Sequence, residues 1–374
     1  MKSAQRQRPW YVESQSRRER DLLNSWFHFE FSMNPVLAIV GATGAVGELM
    51  CQVVLERRIK FESIRFIASE RSAGKKIKFA GESNTIQSLS KKAFEGVHFV
   101  LSSTPASVSR EWSPVAVSAG ATVIDNSSAW RMDPDVPLVV PEVNSNALEN
   151  IPKGIVANPN CSTIQMVVAL KPLHDFAKIK RVIVSTYQAS SGKGATGLAD
   201  LDSQIKAIGQ GIAVPPPSAH IEQLAGNVLA HDWKPGDEGF SEEEWKMVRE
   251  TKKIMGDDSI AVNATTVRVP VRTGHSESIN IEFERPISVD QATDILSCAP
   301  GIVLIDGKGK QVAPTPINCE GRDEVFVGRI RKDSTIQNGL NLWVVADNLR
   351  KGASTNAVQI AEILIASGKF NFLK

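Results

Sequence analysis

Cys161 has the strongest claim to chemistry in this chain. It stands in Ala157-Asn158-Pro159-Asn160-Cys161-Ser162-Thr163, ahead of the apolar run Ile164 to Leu170. Pro159 donates no backbone hydrogen bond and the asparagines favour turns and caps, so the thiol is expected at or beside a helix N-terminus. There a helix dipole lowers a thiol pKa, and free N–H groups can hold an oxyanion. A single cysteine is more often structural, so the residues alone leave nucleophile and core filler both open. Cys51, inside an apolar helical pattern, reads as core, and Cys298 and Cys319 lie near turns without this setting.

A second group follows the apolar run Val36 to Val40: Gly41-Ala42-Thr43-Gly44-Ala45-Val46-Gly47. Glycines here allow a tight turn and let a pyrophosphate approach a helix N-terminus. An ordinary strand-to-helix turn is the alternative. The strand–turn–helix context favours a dinucleotide held by Gly41, Thr43, Gly44, Ala45, Val46 and Gly47. At the end of the next strand, Ser69, Arg71 and Ser72 offer a cation and hydroxyls suited to the 2′-phosphate of NADP, where an NAD enzyme would carry a carboxylate. Glu70 would repel that phosphate if its side chain turned inward.

The elements that must position these residues alternate from Pro35 onward. Val36 to Val40, a helix to about Arg57, Ser63 to Ala68, Val97 to Leu101, a helix through Val115 to Ala119 and Thr122 to Asp125 read as β-α-β repetition, hence an α/β, Rossmann-type doubly wound parallel sheet. Past a proline- and asparagine-rich stretch come longer strand patterns: Arg181 to Tyr187, Ile260 to Val271, Ser278 to Phe283, Val325 to Ile330 and Leu340 to Val345. With a helix over Glu242 to Ile254, they predict a second, α+β domain with a mixed sheet. The expected division is 34–158 for the nucleotide domain, completed by a C-terminal helix within 353–374, and 159–352 for catalysis and dimerisation.

Composition narrows the function classes. Of 374 residues, 42% are hydrophobic and 22% charged, and the net charge is +2. Residues 1–33 carry six basic and four acidic side chains, which leaves 37 of each sign in the rest. A nucleic-acid binder that depends on a net-basic body is therefore not expected. No uncharged apolar stretch of membrane-spanning length occurs, and no Cys-x-x-Cys or His-Glu-x-x-His metal motif. Four cysteines do not make a disulfide framework, so a cytoplasmic, reducing environment is expected. Residues 1–33 fit neither a secretory signal nor a transit peptide. They are expected to be dispensable: deleting residues 1–32 should leave activity and stability intact.

Seven segments, in order, resemble the aspartate-β-semialdehyde dehydrogenase family: GATGAVG (Gly41 to Gly47), NSSAWRM (Asn126 to Met132), VPEVN (Val140 to Asn144), ANPNCST (Ala157 to Thr163), STYQASSG (Ser185 to Gly192), RVPVRTGHSES (Arg268 to Ser278) and LRKGASTNAVQIAE (Leu349 to Glu362). The resemblance runs from about residue 35 to the C-terminus. It implies NADPH-dependent reduction of L-aspartyl-4-phosphate to L-aspartate 4-semialdehyde with release of inorganic phosphate, through a cysteine thioester, in a homodimer or tetramer. It further implies Cys161 as nucleophile, His275 as general acid/base and Gln188 as a positioning group. Arg268 and Glu250 would take the substrate α-carboxylate and amino group, and Arg131, Lys253 and Asn160 the phosphate. Ser191, Gly192 and Asn348 would lie near the cofactor. His28, His98, His174, His220 and His231 keep the reading of surface histidines.

The chain departs from the family pattern at Ser102-Ser103-Thr104-Pro105, where a small Ser-Ala-Gly-type loop is usual, and Gln210 to Lys234 matches nothing. Two rival readings stand beside this one. N-acetyl-γ-glutamyl-phosphate reductase shares the architecture, cysteine, histidine and NADPH, but a free amino acid suits Arg268 and the Glu250/Lys253 pair better. A redox-sensing NADP-binding protein without turnover would need neither His275 nor the phosphate-binding cations.

Overall fold

A computed structural model describes residues 34–368 apart from His231, Asp306 and residues 308–311. Segment 1–33 with His28, His231, and positions 369–374 of the expected C-terminal helix lie outside the described residues.

The first sheet is parallel throughout. Its strands are β1 (Val36–Val40), β2 (Ser63–Ala68), a hairpin of β3 (Lys76–Phe79) and β4 (Glu82–Thr85) set apart from it, then β5 (Gln87–Ser88), β6 (Phe99–Ser102), β7 (Thr122–Asp125) and β8 (Ile155–Ala157). The order β5-β2-β1-β6-β7-β8 reverses direction between β1 and β6, the doubly wound dinucleotide-binding arrangement. Ligands in such sheets bind outside the carboxyl ends of the strands at that reversal. Helices α1 (Ala45–Glu56) and α2 (Ala106–Ser118) start there. Gly41, at the end of β1, has φ +82°, and a Cβ there would lie 2.2 Å from the Ser103 carbonyl oxygen. Only glycine permits that approach.

The second sheet is mixed and is wrapped around α3 (Cys161–Ala177). Its strands are β9 (Ile179–Gln188), β10 (Ala261–Arg268), β11 (His275–Phe283), β12 (Ile302–Ile305), β13 (Val325–Asp333) and β14 (Gly339–Ala346), in the order β10-β9-β11-β14-β13-β12. Strand β10 runs parallel to β9, and β11 antiparallel to both β9 and β14. Side chains of α3 such as Ile164, Val167, Val168 and Leu170 are buried with Val184, Ile279, Ile281 and Val344 of this sheet in one apolar core. Packing, rather than helix propensity, therefore supplies most of the stability of α3.

Three longer helices precede the last one: α4 (Gly194–Gln210), α5 (Glu242–Met255) and α6 (Val289–Ser297). The expected final helix is α7 (Thr355–Ala366), preceded by a π-turn over Arg350–Ser354. Its Val358, Ile360, Ala361 and Leu364 pack with Leu37, Ile39, Met50 and Val54 of the first sheet and α1. Each such fully buried aliphatic side chain is worth about 1.5–3 kcal/mol. Lys351, fully buried, donates to Glu142 at 2.6 Å and to Gln359 and Asn356, which locks the π-turn to the first half.

Candidate active site

A cleft of about 1000 Å³ lies between the two sheets, lined from one side by Val46, Pro105, Asn126 and Arg131 and from the other by Cys161, Gln188, Ser191, Gly192 and Arg268. Cys161 is the first residue of α3, as its surrounding sequence predicts. Asn160 caps the helix: its Oδ1 accepts the N–H groups of Ser162 and Thr163 at 3.1 and 3.2 Å. The Cys161 N–H, at the first position of α3, makes no hydrogen bond to any described residue, so it is a donor left open at the helix start. Gly352 closes against this residue; a Cβ at that position would lie 2.8 Å from the Cys161 Cβ.

One peptide unit organises the opposite wall. Ala189 follows β9; its N–H donates to His275 Nδ1 at 3.0 Å, and its carbonyl accepts Arg268 Nη1 at 2.8 Å. His275 is fully buried, and its Nε2 has no partner. Because Nδ1 already accepts a hydrogen, the neutral ring must carry its proton on Nε2. That nitrogen lies 3.6 Å from where a Cβ on Gly192 would stand, on the cleft side. Burial and the nearby Arg268 charge push the imidazole down to about 3. His275 is thus a neutral hydrogen-bond donor over the physiological range.

The thiol departs from the sequence-based expectation of a stabilised thiolate. Burial and the Glu243 carboxylate push Cys161 up to about 12, against the lowering effect of Arg131, Arg268 and the Ser162 amide. The helix-terminus contribution exists, but desolvation outweighs it.

Two expected contacts are corrected. Glu250 accepts Arg131 Nη1 at 3.1 Å and the Asn160 N–H at 2.6 Å, and it does not line the cleft. Lys253 donates to the carbonyls of Arg131, Asp133 and Val136 at 2.7–2.8 Å, a structural clamp with no hydrogen left over. The cleft is lined instead by Glu243 and Lys246, two helical turns earlier on the same face of α5. Glu243 Oε1 accepts from Asn160 Nδ2 at 2.8 Å and from Gln188 Nε2 at 3.3 Å, and Oε2 accepts from Lys246 at 3.1 Å. Burial would raise this carboxyl, but Lys246, Asn160 and Arg268 together hold it below its ordinary value. A Ser241–Glu244 capping box starts α5, and Glu244 accepts the Thr266 N–H of β10, which sets the helix against the Arg268 strand.

The remaining expected residues divide. Arg131 lines the cleft with Nε, Nη1 and Nη2 bonded to Asn158, Glu250 and Asn126 respectively. Ser191 and Asn348 bond each other, and Asn348 also accepts the Gly274 N–H beside His275. In the glycine turn, Gly44 precedes α1 without a side-chain cap, so the first-turn amides of Ala45, Val46 and Gly47 stay open to an anion. The side chains of Ser69 and Arg71 are exposed and make no hydrogen bond to any described residue, and Glu70 is exposed as well; Ser72 is turned into the fold. The residues present at the glycine turn fit a dinucleotide. The surface reading fails for His220, which is buried against Ser190 and Asp232.

The semialdehyde dehydrogenase NAD binding domain family matches residues 36–151, and the semialdehyde dehydrogenase dimerisation domain family matches residues 170–351. An aspartate-semialdehyde dehydrogenase of Aquifex aeolicus is 53% identical over 334 residues, 89% of this chain and 98% of that protein. The chain belongs to the aspartate-semialdehyde dehydrogenase family. The Bacillus subtilis aspartate-semialdehyde dehydrogenase is 47% identical over 88% of this chain and 96% of its own length. Aspartate semialdehyde dehydrogenase II of Vibrio cholerae, solved in complex with ASA, superposes with a TM-score of 0.86 at 45% identity, covering 89% of this chain and 99% of that one. A Candida albicans aspartate semialdehyde dehydrogenase solved with NADP superposes with a TM-score of 0.71 at 27% identity, covering 90% and 99%. Aspartate-semialdehyde dehydrogenases are oxidoreductases, and the two halves of this chain divide as the two matched domain families do.

Behind His275, on the same face of β11, Glu277 is fully buried and neither carboxyl oxygen has a partner. Burial pushes it well above the ordinary carboxyl range, with Gln165 the only side chain opposing that. An acid whose folded pKa is raised contributes fully only below its unfolded value, and stability is lost as pH climbs toward the folded one. Glu277→Gln should therefore melt higher than wild type by on the order of 3 °C at pH 8 and show little gain at pH 5. An equal gap at both values would mean that Glu277 is ionised in the fold.

Proposed function

We propose that this chain is the phosphorylating, NADP-dependent enzyme that reduces L-aspartyl-4-phosphate to L-aspartate 4-semialdehyde in the cytoplasm, as the second step of the aspartate pathway to lysine, methionine, threonine and isoleucine. The observation that carries the reading is a thiol at a helix start lining one cleft with Arg268, while the unpartnered His275 Nε2 lies directly beside the cleft-lining Gly192.

The charges assign the substrate's ends. Arg268 offers a guanidinium edge to the α-carboxylate. Glu243 receives the ammonium in place of Glu250, and Lys246, with Arg131, takes the phosphate in place of Lys253. Burial is the larger effect that holds the thiol proton, and an ammonium seated against Glu243 would offset the smaller one, the carboxylate charge. Sγ then bonds to the acyl carbon, the C–O bond to phosphate breaks, and the thiol proton leaves on the phosphate. The Cys161 N–H and His275 Nε2–H hold the carbonyl oxygen as its charge grows. Residues Gly41 to Gly47 would hold the pyrophosphate of a dinucleotide, whose nicotinamide would supply the hydride. Collapse of the resulting oxyanion expels the Cys161 thiolate and frees the aldehyde, and the thiolate takes its proton from water.

The division at residues 34–158 and 159–352, with α7 returning to the first half, is supported by which sheet each element joins. Ile183 and Tyr187 are exposed on the face of the second sheet turned away from α3, which supports a homodimer through that half. The deciding experiment is phosphate-dependent oxidation of aspartate semialdehyde, run with NADP and NAD in turn. No phosphate dependence would overturn the reading. In the same assay Lys246→Met should raise the KM for phosphate about 10-fold or more. Lys253→Met should leave that KM unchanged and cost roughly 1–3 kcal/mol of stability, because buried carbonyls lose their donor. The reverse pattern would restore the phosphate role to Lys253.

A further inference from the structure

We propose that Asp232 is the positioning residue for Arg268, setting the plane of the guanidinium so that its free edge meets the α-carboxylate of an amino-acid aldehyde. This rests on the reading of Arg268 given above. Asp232 lies in the stretch Gln210 to Lys234, outside the seven resembling segments; past Gln210, the end of α4, its described residues form no helix or strand, yet the Asp232 carboxylate is fully buried at the wall of the cleft.

The contacts define one orientation. Arg268 Nε donates to Asp232 Oδ2 at 3.0 Å and Nη1 to the Ala189 carbonyl, while Nη2 bonds to no described residue. The guanidinium carbon stands 4.6 Å from the centroid of the Trp233 ring, so the next residue in the same stretch covers one face of the group. Two edges and a face being occupied, the remaining edge is the one open to a ligand. The backbone is tied too, with Arg268 and Leu229 exchanging both hydrogen bonds at 2.8 and 3.0 Å.

Asp232 is itself anchored. Its Oδ2 meets His220 Nδ1 at 3.1 Å, and its Oδ1 accepts the Ile221 N–H at 3.1 Å and stands 3.4 Å from Lys193 Nζ. His220 Nε2 bonds Ser190 Oγ at 2.8 Å, one residue after the Ala189 peptide that holds both Arg268 and His275. The loop that fixes the carboxylate-binding group is therefore fastened to the peptide that orients the catalytic imidazole.

The test compares two aldehydes that differ in the group Arg268 would hold: aspartate semialdehyde and 3-aminopropanal, which lacks the α-carboxylate. Asp232→Asn keeps the side-chain shape and removes the charge. It should raise the KM for aspartate semialdehyde about 10- to 100-fold with kcat within about threefold, and leave kcat/KM for 3-aminopropanal nearly unchanged. In an Arg268→Lys background, which has no fork to orient, the added effect of Asp232→Asn should vanish. Equal losses with both aldehydes, or full additivity with Arg268→Lys, would overturn the proposal. If Asp232→Asn does not fold, His220→Asn, which keeps a donor to Asp232 and breaks the link to Ser190, should show the same selective loss at a few-fold size. If wild type turns over neither aldehyde, the proposed function fails on its own. The clamp is then decided by whether L-aspartate protects Cys161 from iodoacetamide better than β-alanine does in wild type but not in Asp232→Asn.

Discussion

Cys161→Ser is expected to lower phosphate-dependent turnover by at least about 10³- to 10⁴-fold while leaving the melting temperature and nucleotide binding unchanged. The loss follows from how the cleft would have to activate a hydroxyl. A serine nucleophile needs a base within reach that accepts its proton. The imidazole of His275 keeps its proton on Nε2, beside the cleft-lining Gly192, because the Ala189 N–H occupies its other nitrogen. The thiol escapes that requirement because its proton is far more acidic than a hydroxyl's and can leave with the phosphate. Nothing else about the serine variant should change, since Asn160 caps α3 through Ser162 and Thr163 rather than through residue 161. Mass spectrometry during turnover should find an acyl adduct on the wild type and none on the variant. A serine enzyme retaining a tenth of wild-type turnover would sink the covalent route.

How far the sequence carried this depended on whether a local pattern had a single spatial meaning. The glycine turn and the Pro-Asn-Cys-Ser-Thr turn did: each is a chain reversal opening a helix, and each opens one here, at α1 and α3. The alternation of strands and helices in the first half likewise led to a parallel sheet with the expected reversal between β1 and β6. The acidic–basic pair on α5 had two meanings. Glu243/Lys246 and Glu250/Lys253 have the same internal spacing and lie seven residues apart, so both pairs share one helix face. Only the tertiary position of that helix decides which pair meets the cleft. The stretch Gln210 to Lys234 had no legible meaning, having no hydrophobic period. Its role comes from long-range contacts of His220, Asp232 and Trp233 that no spacing encodes. The thiol's ionisation was misjudged for a related reason. The helix start is local and visible, whereas the burial and the Glu243 charge that outweigh it arise only on folding.

His275→Asn is expected to reduce kcat by about 10²- to 10⁴-fold, and His275→Gln to be less impaired by roughly a factor of ten. The shorter amide can still accept the Ala189 N–H but ends short of the Nε2 position. The longer one can place an N–H there, and neither amide can act as a base. If the ring's task is to donate to the carbonyl oxygen, glutamine preserves part of it; if the task is to remove a proton, the two variants fail alike. The pH dependence gives an independent reading. With the imidazole pushed down to about 3, His275 stays neutral from pH 6 to 9, so its titration should not appear in kcat over that range. For stability the sign runs the other way from a paired histidine. A lowered folded pKa gives a contribution present above the ordinary value near 6.5 and lost as pH falls toward 3. His275→Gln should therefore flatten the loss of melting temperature between pH 6 and pH 4 relative to wild type. A limb in kcat near pH 6.5 that disappears in His275→Gln would return the ring to acid–base duty, and the hydrogen bond from Ala189 would then have to break during turnover.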